Sequence, residues 1–314
     1  MHKQHKLTTL LFIFSLGMSM ISCDPQKDHH NPEITLQTIL DKYTKGNRLP
    51  GVILFIKEPG TSYYLASGKT DLTSGDKMKT SSRSYPQSIS KSFTAVSILK
   101  LQEAGLLDID DLMNVYLPVE VCNQLAHGNE ITIRQLLNHA TGIKNYLDVP
   151  RFREEVASGD AFPLTVDKVL SYVYNLPADF EPGSKFHYTD TNYHLLAMII
   201  DEVTDTHHGY YFKNEIIEKL NLANTYYLPY ESPEYYTGKW YSFNDDTDQY
   251  TDVTETQYKL TQGGIGADGL FCEAKDLGLY FTALFYDKTL LQESSLEEMK
   301  TNLVPGSAHR YGMG

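Results

Sequence analysis

The chain has 314 residues, 41% hydrophobic and 21% charged; such ordinary globular usage excludes a wholly disordered chain, a collagen-like repeat and a polytopic membrane protein. It carries 27 basic and 40 acidic residues, net -13. No cluster of Lys and Arg of the kind that neutralises phosphates occurs, which excludes nucleic acid as a partner.

Residues 1–22 read as a signal peptide. Lys3 and Lys6 precede an apolar run from Leu7 to Ile21, about 15 residues long and short of the roughly 20 that span a bilayer as a helix. Ser22 and then Cys23 follow, a pattern that resembles the lipobox of bacterial lipoproteins. The resemblance implies an acylated Cys23 as the new N-terminus, a polar tether over residues 23–33 and a lipid-anchored protein of the bacterial cell envelope, facing the periplasm or the outside. Loss of residues 1–22 removes two Lys and no acid, so the mature net charge is -15.

A single domain is expected over residues 34–314. Ile34 to Tyr43 has helical spacing of apolar residues, Gly51 to Lys57 is β-rich, Pro59-Gly60 signals a turn and Tyr63 to Ala66 a second strand. From Ser88 to about Tyr286 the pattern is mostly helical. It is clearest over Lys91 to Ala104, Ile133 to Asn138, Val166 to Asn175, Tyr193 to Val203 and Asp276 to Tyr286. Tyr226 to Tyr258, rich in Tyr, Asp, Asn and Thr around the one Trp, Trp240, reads as a long surface excursion. It either lines a substrate groove or packs on itself. Asp245-Asp246-Thr247-Asp248 lacks the Gly and terminal Glu of a calcium loop, and no Cys/His spacing matches a metal site, so neither metal nor cofactor is expected. Cys122 and Cys272 read as unpaired and buried. His207-His208-Gly209 reads as a helix C-terminus with Gly at the cap.

Ser88 is the candidate nucleophile. Tyr85-Pro86-Gln87-Ser88-Ile89-Ser90-Lys91 opens a helix, and Ser88 and Lys91 share one helical face, one turn apart. The helix N-terminus favours negative charge. A desolvated amine loses basicity and can take the Ser proton, and the Ser88 backbone N–H can serve an oxyanion. The pattern alone is weak, because Ser74/Lys77 and Ser97/Lys100 repeat it, one in a Gly-containing turn and the other mid-helix.

Longer stretches are more specific. Ser88 to Ala95 with Leu106-Leu107-Asp108, then Ile131 to Gly142, then Pro182 to Tyr193, then Gly263-Gly264-Ile265 with Gly269-Leu270, together resemble the serine β-lactamase and penicillin-binding-protein superfamily. The likeness is to its class C, D-alanyl-D-alanine carboxypeptidase and esterase branch. It implies an α/β (α+β) fold: an antiparallel sheet flanked by helices, plus a mainly helical subdomain. It also implies a catalytic set of Ser88, Lys91 and Tyr188. There, Tyr188 is a general base whose acidity nearby Lys91 increases, and it shares or disputes that role with Lys91. Asp190 occupies the substrate-binding position of the same box.

Three features depart from the branch. Asp190 stands where the branch usually has Asn; a carboxylate accepts but does not donate, and it would pair with Lys91. Pro86-Gln87 stands where Gly usually precedes the Ser. The third active-site box is expected after Tyr311-Gly312-Met313-Gly314, so the chain reads as cut short of its last sheet strands and of that box. The resemblance therefore implies a serine hydrolase forming an acyl-enzyme through Ser88. Its substrate would be small or peptidoglycan-derived: D-alanyl peptides, β-lactams or small esters, with Asp190 favouring peptidase or esterase over β-lactamase. The alternative is a catalytically degenerate envelope lipoprotein that binds peptidoglycan or a partner.

Overall fold

The first helix, α1 (Pro32–Lys45), packs on a hairpin of β1 (Gly51–Glu58) and β2 (Thr61–Gly68). This computed structural model describes residues 31–45, 49–233, 238–301, 304 and 311–314; the signal-like run, Cys23 and most of the expected tether lie outside them. The hairpin register pairs Gly51 with Gly68 and Glu58 with Thr61. Pro59 and Gly60 make the turn, with Gly60 at φ 81°, a conformation that Gly adopts without steric cost. Gln37 Nε2 donates to the Ala66 carbonyl at 3.1 Å and Ser67 Oγ donates to Asp41 at 2.7 Å, which fixes α1 against β2.

The hydrophobic core is built on α2 (Ser90–Glu103), which buries Phe93, Val96, Ile98, Leu99 and Leu101. After α2 come the short α3 (Val119–Gln124) and α4 (Ile133–Leu137), α5 (Pro150–Ser158), α6 (Val166–Ser171), α7 (Asp190–Thr204) and α8 (His208–Phe212). Helix α2 also buries its polar residues Ser90, Lys91, Thr94 and Ser97, because it packs against both α7 and α8. Helix α4 starts with a capping box, Thr132 reciprocating with Gln135. Helix α6 stops four residues short of the expected Asn175, which itself sits at φ 59°.

The region from 226 to 258 contains regular structure and is not only a surface excursion. It holds most of β3 (Thr225–Tyr227), a hairpin of β4 (Tyr241–Asn244) with β5 (Gln249–Asp252), and the start of α9 (Thr254–Gln262). The acidic run Asp245 to Asp248 is that hairpin's turn. Strand β3 pairs with β6 (Leu270–Cys272), and α10 (Ala274–Phe281) and α11 (Glu293–Lys300) follow. Gly278 of α10 lies against Phe55 so closely that a Cβ would fall 2.1 Å from the ring; this packs α10 on β1.

Among the described residues the strands form three antiparallel pairs rather than one continuous sheet. Cys122 and Cys272 are buried and unpaired, as expected. No described helix is long and apolar enough to cross a bilayer. The expected cap at His207-His208-Gly209 is a helix start instead. Asp205 already ends α7 in the left-handed conformation, and His207 caps α8 by accepting from the Gly209 N–H at 3.0 Å.

Candidate active site

Three segments converge: the start of α2, the start of α7 and the loop from Gly263 to Gly269. Ser88 lies in a single 3-10 turn, Gln87–Ile89, that runs directly into α2. The turn is braced by Ser90 Oγ donating to the Gln87 carbonyl at 2.8 Å and Ser92 Oγ to the Ile89 carbonyl at 2.7 Å. Gln87 has φ 52°, so the residue before the nucleophile candidate holds a left-handed backbone at a cost of about 1–2 kcal/mol for a residue other than Gly. Gly would hold the same backbone without that cost. Ser88 itself is exposed.

Lys91 is fully buried and spends its ammonium on three acceptors. It donates to Ser88 Oγ at 3.1 Å and to the Ala267 carbonyl at 3.0 Å, and it forms an ion pair with Asp190. Burial pulls the amine's basicity down, but the Asp190 carboxylate, with Tyr188 and Asp268, outweighs it, and the pKa of Lys91 lies above the ordinary lysine value. A desolvated, deprotonated Lys91 is therefore not the resting state. The carboxylate at position 190, which is the departure from the branch's Asn, is what holds the proton there.

The Lys91 ammonium lies 4.9 Å from the centre of the Tyr188 ring, which places the phenol beside Lys91 and Ser88. The acidity of Tyr188 is not increased as the sequence reading expected. Burial raises its pKa above the ordinary phenol value, and Asp190 adds to this against the opposing charge of Lys91. Ser88, Lys91, Tyr188 and Asp190 thus meet at one place, with Lys91 and Tyr188 both protonated. The two rival Ser-x-x-Lys pairs do not form sites. Ser74 Oγ donates to Asp76 within its turn, and Ser97 Oγ bonds back to the Phe93 carbonyl.

Several neighbours had no role assigned from sequence. His139, at φ 59°, is buried against the Tyr188 ring at 4.3 Å between centroids, and its Nδ1 accepts from the Thr189 N–H at 3.3 Å. Burial and the charge of Lys91 keep it neutral, its pKa well below the usual histidine range. Tyr311 reaches His139 Nε2 at 3.3 Å. A Cβ on Gly314 would fall 2.7 Å from Ala95, so Gly314 lies against the first turns of α2, while the Met313 N–H donates to the Met299 carbonyl of α11 at 2.9 Å. Trp240, from the Tyr-rich region, meets the Tyr85 ring at 6.1 Å.

The loop behind Lys91 is pinned by a buried chain of hydrogen bonds. The Gly266 N–H donates to the Tyr227 hydroxyl at 2.6 Å, Tyr227 pairs with His208 Nε2 at 2.9 Å, and His208 Nδ1 with Asp201 at 2.9 Å. Because the Asp201 carboxylate can only accept, His208 Nδ1–H donates to it, and with that single ring proton Nε2 accepts from the Tyr227 hydroxyl. Thr94 holds the Gly266 carbonyl at 2.7 Å. Asp201, His207 and His208 place potential ligand atoms within 4.8 Å of one another. The nitrogens of His208 and Nδ1 of His207 are already engaged in these hydrogen bonds, so the donor set does not fit a metal ion without breaking them.

This fold, with a serine, a lysine and a tyrosine brought together at the start of two helices, defines the β-lactamase/transpeptidase-like serine hydrolases. The chain belongs to the Beta-lactamase family, which matches residues 36–314. It is 27% identical over 292 residues to a penicillin-binding protein of Bacillus subtilis (strain 168), covering 89% of this chain and 62% of that protein. The chain therefore spans less than two thirds of that relative's length. A D-stereospecific amidohydrolase from Streptomyces sp. is similar in structure with a TM-score of 0.76 at 28% identity, over 90% of this chain and 82% of that one. A D-amino acid amidase from Ochrobactrum anthropi SV3 shares the fold with a TM-score of 0.73 at 22% identity, over 86% and 75% of the two chains.

Proposed function

We propose that the chain hydrolyses small amides, peptides or esters through an acyl-enzyme on Ser88. The observation that carries this reading is the contact of Lys91 with both Ser88 Oγ and Asp190. A proton passed from Lys91 to the Asp190 carboxylate leaves a neutral amine 3.1 Å from Ser88 Oγ. That amine takes the Ser88 proton as the oxygen attacks the carbonyl carbon, and the Ser88 backbone N–H stabilises the oxyanion. Tyr188, held protonated, donates its proton to the leaving group as that bond breaks. The proton on Asp190 then returns through Lys91 to Tyr188, so the Ser88 proton is in effect delivered to the leaving group. Water repeats the sequence in reverse to free Ser88.

Asp190 favours peptidase or esterase chemistry over β-lactam turnover, and the similarity to proteins named for D-amino-acid amides supports a D-configured acyl group, as in D-alanyl peptides. Labelling with a fluorescent fluorophosphonate or a fluorescent penicillin tests the reading. Wild type should form an adduct that Ser88→Ala loses entirely while unfolding at the same temperature. An unlabelled wild type, or an adduct that survives in Ser88→Ala, would sink it in favour of a degenerate binding protein.

The same reading places the protein at the bacterial cell envelope, anchored through lipid on Cys23 and acting on peptidoglycan-derived substrates. The support is the basic start, the short apolar run and the Ser22-Cys23 junction. Cys23→Ala is expected to move the protein from the membrane fraction to the soluble one. Continued membrane association of that variant would count against the anchor.

A further inference from the structure

Asp268 is a second carboxyl group behind Lys91, and nothing in the mechanism above uses it. It follows Ala267, whose carbonyl holds Lys91, and its backbone N–H donates to the Gly264 carbonyl at 2.5 Å. Its Oδ1 is buried with no hydrogen-bond partner, and the Tyr85 hydroxyl acts on the carboxyl as a polar neighbour that holds its pKa down. The groups that face it are Lys91 from α2, Asp190 from α7, Tyr85 from the segment before Ser88, Tyr146, and Tyr227 from β3. It is thus the second acid of a cluster that contains one buried cation.

We propose that Asp268 is a positioning residue that acts through Lys91: its negative charge strengthens the Lys91–Asp190 pair as acceptor of the Ser88 proton. The proposal rests on the acyl-enzyme reading given above. An added negative charge beside a proton-accepting pair favours the protonated pair. Asp268 acts on the charges of both Lys91 and Asp190, so the buried proton acceptors feel its charge more than the outward-facing Ser88 does.

Burial raises the Asp268 carboxyl to about 7, with the charge of Asp190 adding to the rise and Lys91 and the Tyr85 hydroxyl opposing it. The group is therefore neutral in mild acid and charged in mild alkali. The sign follows: acylation of Ser88 should rise as pH passes upward through neutrality. One pKa unit on the acceptor corresponds to about 1.4 kcal/mol, or a factor of about ten, and a several-fold rise is expected.

The test is the second-order rate of Ser88 labelling between about pH 5.5 and 8.5 for wild type, Asp268→Asn and Tyr85→Phe. Wild type should rise several-fold with a midpoint near neutrality. Asp268→Asn should stay flat at the low, acid-side rate. Tyr85→Phe removes the hydroxyl that holds the carboxyl down, so its midpoint should move to higher pH. A purely structural role would lower rates without moving a midpoint. Persistence of the neutral transition in Asp268→Asn overturns the proposal while leaving the acyl-enzyme intact; a wild type unlabelled at every pH overturns both. Should Asp268→Asn fail to fold, an unmoved midpoint in Tyr85→Phe is by itself the overturning result.

Discussion

Lys91→Met is expected to lower Ser88 labelling by about 100- to 10,000-fold, the range removed with a general acid–base group, and to destabilise the fold as well. Met keeps the apolar stem of Lys and ends one heavy atom short of the ammonium, so the packing around a fully buried side chain is largely kept. What is lost is the cation. Asp190, itself 5% exposed, is left facing Asp268 with no positive charge between them. Breaking a buried pair by removing one partner costs about 3–5 kcal/mol. The pH dependence identifies the cause. A buried carboxylate without a counter-charge is destabilising only while it is ionised, so the deficit is expected to be smaller in acid than at neutral pH and above. Urea unfolding at about pH 5 and pH 8 should show a deficit that is smaller in acid. An equal deficit at both would mean lost packing, not an unpaired carboxylate.

The pieces of the site were legible in sequence where a local pattern carried them. Alternation and Pro59-Gly60 give the hairpin, because strand period and turn chemistry are both local. Ser88 and Lys91 are one helical turn apart, and the structure keeps them within 3.1 Å. The Lys91–Asp190 pair could be anticipated from the missing amide at 190 alone. The errors arise where the answer depends on burial or on distant segments. The proximity of Tyr188 to a cation is readable, but its desolvation is not, and desolvation wins. The His-His-Gly run looks like a helix end because Gly commonly caps one. The real stop is the left-handed Asp205, which no preference for Gly announces.

Asp268 shows the limit most plainly. No motif marks it, since its significance comes from a loop that the fold lays beside α2, where Ala267 meets Lys91 across 176 residues of sequence. The buried chain from Asp201 through His208 and Tyr227 to Gly266 is of the same kind. Its members are separated in sequence and joined only by packing. One signal was available for His139 and, less directly, for Tyr311: His139 lies within the Ile131 to Gly142 stretch that resembles a family segment, and Tyr311 opens the run after which the third box is expected. The resemblance says that such residues sit near the site, whereas the geometry says that they back the Tyr188 ring.

Asp190→Asn is expected to give the opposite pH signature to Lys91→Met. In wild type the folded-state Lys91 lies above its unfolded value, so the pair contributes stability that is fully present below the unfolded lysine value and is lost only as pH rises through the folded one. An amide at 190 removes the main charge that opposes burial, and the folded-state Lys91 then falls below its unfolded value. Stability is lost as pH drops, by about 3–5 kcal/mol if the cation is left wholly unpaired. In mild alkali, where Asp268 is ionised, the second carboxylate takes over as counter-ion and the deficit shrinks. Ser88 should also be acylated more slowly per folded molecule, because the carboxylate that takes up the Lys91 proton is gone. Unfolding and labelling of Asp190→Asn across the same pH range check both halves. The Asp190→Asn and Asp268→Asn double variant removes the substitute counter-ion, and its stability should no longer recover in alkali to the same degree. If Asp190→Asn instead unfolds identically at acid and alkaline pH, Lys91 is not held charged by Asp190, and the proton route from Ser88 through Lys91 to that carboxylate falls with it.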